Sequence, residues 1–169
     1  MIRQTITIAE KKDLPTVRML AEKIWPHAYG NILPAGQVDY MLDLIYSPAS
    51  LSRQVEDDHH IFLILGFNAR PSGFASYSID PAAKKAKLHK IYIDQALHGK
   101  GLGKLLLEDV AARVRSAACT ILQLDVNRQN RARYFYEKQG FKIKAEKDTD
   151  IGNGYWMRDF IMEKELTNS

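Results

Sequence analysis

Ile6 and Ile8 flank Thr7, the alternation of a short strand. Asp13 then stands as a cap before a helix, with Pro15 in its first turn and Val17, Leu20, Ala21 and Ile24 along one face. Trp25-Pro26 predicts the end of that helix, because the residue before a proline is pushed out of the helical region. Residues 27–33 read as a linker into a second helix over 34–46, with Val38, Met41, Leu42 and Ile45 on one side. The unbroken apolar run 61–67 predicts a buried strand, Asn68-Ala69-Arg70-Pro71 a turn, and 73–79 the returning hairpin partner. Asp80-Pro81 turns again before a strand over 86–94. Leu102, Leu106, Val110 and Val114 recur at helical spacing over 102–118. A strand over 120–126, a short helix over 130–139 closed by Gly140, and two strands around Gly152-Asn153-Gly154 complete the chain. Strands and helices segregate early and interleave late, so the expected fold class is mixed α/β, one sheet with helices on both faces.

Composition narrows the class without naming a function. The 169 residues, 46% hydrophobic and 26% charged, suit one globular domain spanning 1–169. No apolar run is long enough to cross a bilayer, and the N-terminus carries no signal-peptide core, so a cytoplasmic chain without a membrane partner is expected. Cys119 is the single cysteine and cannot form an internal disulfide. His59 and His60, adjacent and expected on opposite faces of a strand, cannot ligate one ion together, so no metal is expected. The net charge of +4 is too small to imply nucleic acid. Its distribution is uneven: lysines crowd 84–104 and bases crowd 128–147, whereas 34–60 is acidic. Solvated faces explain that pattern as readily as two ligands of opposite charge.

His98-Gly99-Lys100-Gly101-Leu102-Gly103-Lys104 lies between a predicted strand and an amphipathic helix. Glycines let the main chain turn its amides toward a ligand, and the helix start adds partial positive charge, which together make a phosphate site. Three residues separate Gly99 from Gly103 where a P-loop needs four, and Lys104 stands where a dinucleotide fingerprint needs its third glycine.

The alternating glycines after Ile91-Tyr92-Ile93-Asp94 resemble the acetyl-CoA loop of the GNAT superfamily of N-acetyltransferases. His98 replaces the usual Gln or Arg at the loop's first position. Asn130 to Phe141, with its Phe135-Tyr136-Glu137-Lys138 and Gly140-Phe141, looks like the closing motif of that family. The resemblance implies a central, mostly antiparallel mixed sheet of about seven strands with one splayed pair. It also implies acetyl-CoA as co-substrate, held by Ile91, Tyr92, Ile93, His98, Gly99, Lys100, Gly101, Leu102, Gly103, Lys104, Asn130 and Tyr136.

Acetyl transfer to an alkyl amine needs a deprotonated nucleophile; at neutral pH, removing the proton costs about 4–5 kcal/mol. The resemblance makes Tyr136 the general acid for the departing thiolate, whose alternative is a core tyrosine beside Tyr134 and Phe135. Many relatives place a Glu base where this sequence has Lys87. His89, two residues on, is the expected base, as in relatives of the serotonin N-acetyltransferase type; a half-buried structural histidine is the alternative. Direct transfer is expected, since Cys119 has no activating partner in sequence.

In this family acceptor selectivity comes from the first helices and the last hairpin. Trp25, Tyr29 and Trp156 would supply aromatic walls and Asp39 negative charge, which suits a small cationic amine. Ile91-Tyr92-Ile93 and Phe160-Ile161-Met162-Glu163-Lys164 are similar to bacterial spermidine/spermine-type acetyltransferases. Three alternatives stay open: a protein or peptide N-acetyltransferase, a non-catalytic acyl-CoA-binding module, and a single-strand nucleic-acid binder using Arg128, Arg131, Arg133 and Tyr134. A homodimer is compatible with all of them.

Overall fold

A computed structural model describes residues 3–167. Among them, five α-helices and seven strands run β1 (Gln4–Ile8), α1 (Leu14–Tyr29), α2 (Gln37–Tyr46), α3 (Pro48–Glu56), β2 (Ile61–Phe67), β3 (Arg70–Asp80), β4 (Lys85–Ile93), α4 (Leu102–Ser116), β5 (Ile121–Asn127), α5 (Ala132–Lys138), β6 (Lys142–Gly152) and β7 (Tyr155–Glu165). The strands form one sheet in the order β1-β2-β3-β4-β5-β7-β6. β1 with β2, β2 with β3, β5 with β7 and β6 with β7 pair antiparallel, and β4 with β5 pairs parallel. This is the mixed, mostly antiparallel seven-strand sheet expected. The chain divides into two compact units, 1–78 with 90–109 and 79–89 with 110–169.

In the first unit the core comes from Val17, Leu20, Ala21 and Ile24 of α1, Met41 and Tyr46 of α2, Leu51 of α3, and Phe62, Leu63, Leu65, Phe74 and Ala75 of β2 and β3. Asn68 and Ala69, both at positive φ, make the tight turn between those strands. Three expectations need correction here. The helix does not stop at Trp25-Pro26: α1 continues to Tyr29, and Gly30 donates to the Pro26 carbonyl at 2.9 Å. Pro26 removes one helical hydrogen bond, but burying Trp25 and Tyr29 offsets that loss. The helix predicted over 34–46 begins later, after Gly36 in the left-handed region (φ 85°). The residues after it fold as α3, which the sparse apolar positions concealed; Ser47 accepts from the Ser50 amide and Pro48 opens the helix. His59 and His60 precede β2 rather than lying in a strand, with His59 at φ 57°.

The second unit is built on β5. Leu122, Leu124 and Val126 are buried with Val110 and Val114 of α4 and Met162 of β7, while Gln123, Asp125 and Asn127 take the alternate face. β5 pairs with β7 along its whole length, from Ile121↔Glu165 to Asn127↔Asp159. The β4–β5 ladder covers only Lys85↔Ile121 to Leu88↔Leu124, although β4 runs on to Ile93 and β5 to Asn127.

Candidate active site

The glycine loop belongs to the first unit and is anchored at both ends. Before it, the Asp94 amide donates to the Ser72 carbonyl at 2.8 Å, and its carboxylate accepts from the Ala96 amide at 3.0 Å. Lys23 pairs with the same carboxylate at 2.6 Å and holds it below the usual carboxylate range. The His98 ring meets the Ile93 carbonyl at 3.0 Å, so the residue that departs from the family pattern bonds back to the strand. Gly99 and Gly101 adopt φ of 84° and 76°, conformations that side chains resist, and a Cβ on either would meet nothing within 4 Å. What the loop needs from glycine is therefore backbone conformation rather than room.

α4 starts at Leu102, and its first internal bond runs from the Leu105 amide to the Gly101 carbonyl at 3.0 Å. The amides of Leu102, Gly103 and Lys104 precede that bond and have no helical acceptor. They sit at the positive end of the helix dipole. This open, amide-lined turn fits a pyrophosphate. Lys100 is exposed, and Lys104 lies 3.9 Å from Glu108, one turn along the helix.

The first unit also gathers five aromatic rings. Trp25 lies 4.6 Å from Tyr29, 5.6 Å from Tyr46 and 5.7 Å from Tyr92, and Phe74 lies 5.9 Å from Tyr46. The Tyr29 and Tyr92 hydroxyls share a 2.8 Å hydrogen bond. Two of the predicted acceptor residues, Trp25 and Tyr29, thus come together, and both are buried. Asp39 is exposed on α2, and Trp156 is 44% exposed on β7 of the other unit, under the Arg158 guanidinium.

Lys90, on β4, has a side chain that sequence reasoning missed. It is buried, donates to Gln54 Oε1 at 2.6 Å and stands over the Phe62 ring; burial pulls its pKa down to about 8. The cue was a lysine within an otherwise alternating, half-apolar strand.

In the second unit Tyr136 is buried on α5, edge-on to Phe135 at 5.4 Å and Phe141 at 5.8 Å. Asn130 holds the start of that helix, its Oδ1 accepting from the Ala132 amide at 2.9 Å, which leaves Nδ2 outside that bond. His89 is half-buried on β4, two residues beyond Lys87 and on the same strand face. Lys87 is not available as a neutral base there: its ammonium pairs with Asp125 at 3.0 Å. Three bases of the stretch 128–147 are paired as well, Arg128 with Glu146 and Asp148, Arg133 with Glu137 and Lys147 with Asp125. Among the described residues, no cluster of three or more His, Cys, Asp or Glu could hold a metal ion, and no helix is long and apolar enough to cross a membrane.

Comparison with known proteins gives this arrangement its class. A sequence profile of the acetyltransferase (GNAT) family matches residues 20–141. The chain belongs to that family, and it is an N-acetyltransferase that uses acetyl-CoA. It is similar to an uncharacterized N-acetyltransferase of Mycobacterium tuberculosis, 26% identical over 155 residues, covering 91% of this chain and 98% of the relative. It is also similar to the crystal structure of PaiA N-acetyltransferase from Thermoplasma acidophilum in complex with coenzyme A. That likeness has a TM-score of 0.81 at 27% identity and covers 96% of this chain and 99% of the other. A 65-residue segment, 38% of this chain and 44% of the relative, is 40% identical to a 5-NmdU N-acetyltransferase of Pseudomonas phage PaMx11.

Proposed function

We propose that the chain passes the acetyl group of acetyl-CoA directly to the primary amine of a small cationic molecule. The observation that carries this reading is the turn at 98–104, where left-handed glycines and unbonded helix amides offer an anion site of pyrophosphate character. In this reading His98, Gly99, Lys100, Gly101, Leu102, Gly103 and Lys104 grip the coenzyme's phosphates. The main chain of Ile91, Tyr92 and Ile93, with Asn130 Nδ2, holds the pantetheine arm. Tyr136 delivers its phenolic proton to the departing thiolate, and His89, through water, draws the proton from the amine. The spermidine/spermine-type pattern of the sequence assigns Trp25, Tyr29, Asp39 and Trp156 to the acceptor, and of these Trp25 and Tyr29 are buried in the ring cluster of the first unit. Direct transfer agrees with the state of Cys119, which is buried and whose thiol burial pushes up, away from the reactive thiolate.

The test is thiol release from acetyl-CoA with spermidine, simple diamines, aminoglycosides and an N-terminally free peptide as acceptors. Turnover with small amines supports the reading; turnover confined to the peptide replaces the acceptor class with protein N-termini. Tyr136→Phe is expected to lower kcat by about a hundredfold while leaving coenzyme A affinity intact. Unchanged turnover would remove the acid role. Coenzyme binding without turnover on any acceptor would favour the non-catalytic module.

A further inference from the structure

Gly73, on β3, is needed for a different reason from Gly99 and Gly101. It is buried, and its backbone lies outside the left-handed region. A Cβ at this position would lie 2.6 Å from Ile93 Cδ1, 2.8 Å from the Tyr92 carbonyl oxygen and 3.4 Å from Ile93 Cα. Packed atoms essentially never approach a Cβ within 3.0 Å. The end of an isoleucine side chain can swing aside, but a backbone oxygen moves only with its peptide. What Gly73 provides is therefore room, and the Tyr92–Ile93 peptide of β4 fills it.

The groups on either side of that peptide are held in place. The Tyr92 ring packs on Trp25 at 5.7 Å and on Phe74 at 5.6 Å, and its hydroxyl shares the 2.8 Å bond with Tyr29. The following peptide is fixed at both ends: the Ile93 carbonyl meets the His98 ring at 3.0 Å, and the Asp94 amide donates to the Ser72 carbonyl at 2.8 Å. Ser72 is itself buried, its hydroxyl donating to the Arg70 carbonyl. With both flanks anchored, a methyl group at position 73 has to be absorbed by the peptide between them. The Tyr92 carbonyl and the Ile93 N–H are opposite ends of one planar group, so pushing the oxygen swings the N–H. All of these residues lie in the first unit, together with the loop 98–104.

We propose that Gly73 is a positioning residue for the coenzyme: its bare Cα lets the Tyr92 carbonyl settle against β3 and thereby aims the Ile93 N–H at the coenzyme's acyl-bearing arm. This rests on the acetyltransferase reading above, in which the main chain of Ile91, Tyr92 and Ile93 holds that arm, and adds what sets its direction. Gly99 and Gly101 shape the turn that receives the phosphates, whereas Gly73 sets the peptide that receives the arm.

The experiment measures, by calorimetry, the binding of coenzyme A and of ADP, which has the pyrophosphate but no arm, to wild type and Gly73→Ala. Loss of one amide hydrogen bond to the arm should weaken coenzyme A by about tenfold and leave ADP within about twofold. Equal losses for the two probes would mark general damage and overturn the proposal, as would wild-type affinity for both. Should Gly73→Ala fail to fold, Gly73→Ala combined with Ile93→Val carries the test. Valine lacks Cδ1, which relieves the closest contact and leaves the one with the Tyr92 carbonyl. Relative to Ile93→Val alone, adding Gly73→Ala should still weaken coenzyme A by about tenfold. No loss in that background traces the effect to the isoleucine side chain and overturns the proposal.

A spectroscopic readout does not depend on turnover. In protein carrying isotope-labelled isoleucine, the Ile93 amide proton should move downfield by NMR when coenzyme A is added and stay in place with ADP, and Gly73→Ala should abolish that shift. An Ile93 amide that responds equally in wild type and in Gly73→Ala overturns the proposal alone. A wild-type Ile93 amide that ignores bound coenzyme A overturns the proposal together with the reading of the arm beneath it.

Discussion

Lys90→Met isolates the energetic consequence of one buried ammonium. In the folded chain Lys90 is 8% exposed, and burial lowers its pKa from 10.5 to about 8, with Asp58 opposing. The unfolded chain holds that proton until about pH 10.5. Between the two values the unfolded state therefore binds more protons, and folding stability climbs with pH. The interval is about 2.5 units, which at 1.36 kcal/mol per unit makes the charged lysine about 3 kcal/mol unfavourable at pH 7. Methionine removes that penalty but leaves Gln54 Oε1 without its 2.6 Å donor, a loss of about 1–3 kcal/mol. The two effects nearly cancel at pH 7, so the variant should be level with wild type or more stable by up to about 2 kcal/mol. Above pH 8 the difference should move steadily in wild type's favour, by about 1.4 kcal/mol per pH unit. Urea unfolding of both proteins at pH 7, 8, 9 and 10 reads this directly, because every other titration is common to the pair. A difference that stays constant from pH 7 to 10 refutes the reasoning and means that Lys90 keeps its proton in the core.

The remaining predictions concern the coenzyme loop and its neighbour. Gly101→Ala meets no atom, so its cost is the left-handed backbone alone, about 1–2 kcal/mol. If the loop relaxes to avoid that strain, its amides turn and coenzyme A should bind about tenfold more weakly by calorimetry; wild-type affinity would show that the amide fan is not the grip. Asn130→Ala removes the acceptor for the Ala132 amide and should cost about 1 kcal/mol in urea unfolding. Asn130→Asp keeps that acceptor, so it should recover stability while still losing coenzyme affinity; full affinity in this variant would confine Asn130 to a structural role.

Much of this protein was legible along the chain because the relevant signals are local. The apolar run 61–67, the strand periods of the C-terminal half and the Gly152-Asn153-Gly154 turn each reflect backbone preferences or alternation within a few residues, and each element stands where its pattern lay. The glycine loop was legible for the same reason, since left-handed φ at Gly99 and Gly101 and a helix start at Leu102 are properties of neighbouring residues. Its specificity came from resemblance to a family, which spacing alone does not supply.

Elsewhere packing between distant segments overrode or supplied the information. Local rules end a helix before Pro26, yet burial of Trp25 and Tyr29 against rings from α2 and β4 carries α1 onward. α3 has few apolar residues to betray it, and Gln54 on it matters only because Lys90, far along the chain, reaches it. Trp156 and Trp25 look alike in sequence as aromatic walls, but one is a surface residue and the other is buried. Asp125 and Asp159, 34 positions apart, become neighbours only through the β5–β7 register. A residue's own type reports which conformations it tolerates; which charges stand beside one another depends on what other strands place there, and only the folded sheet decides that.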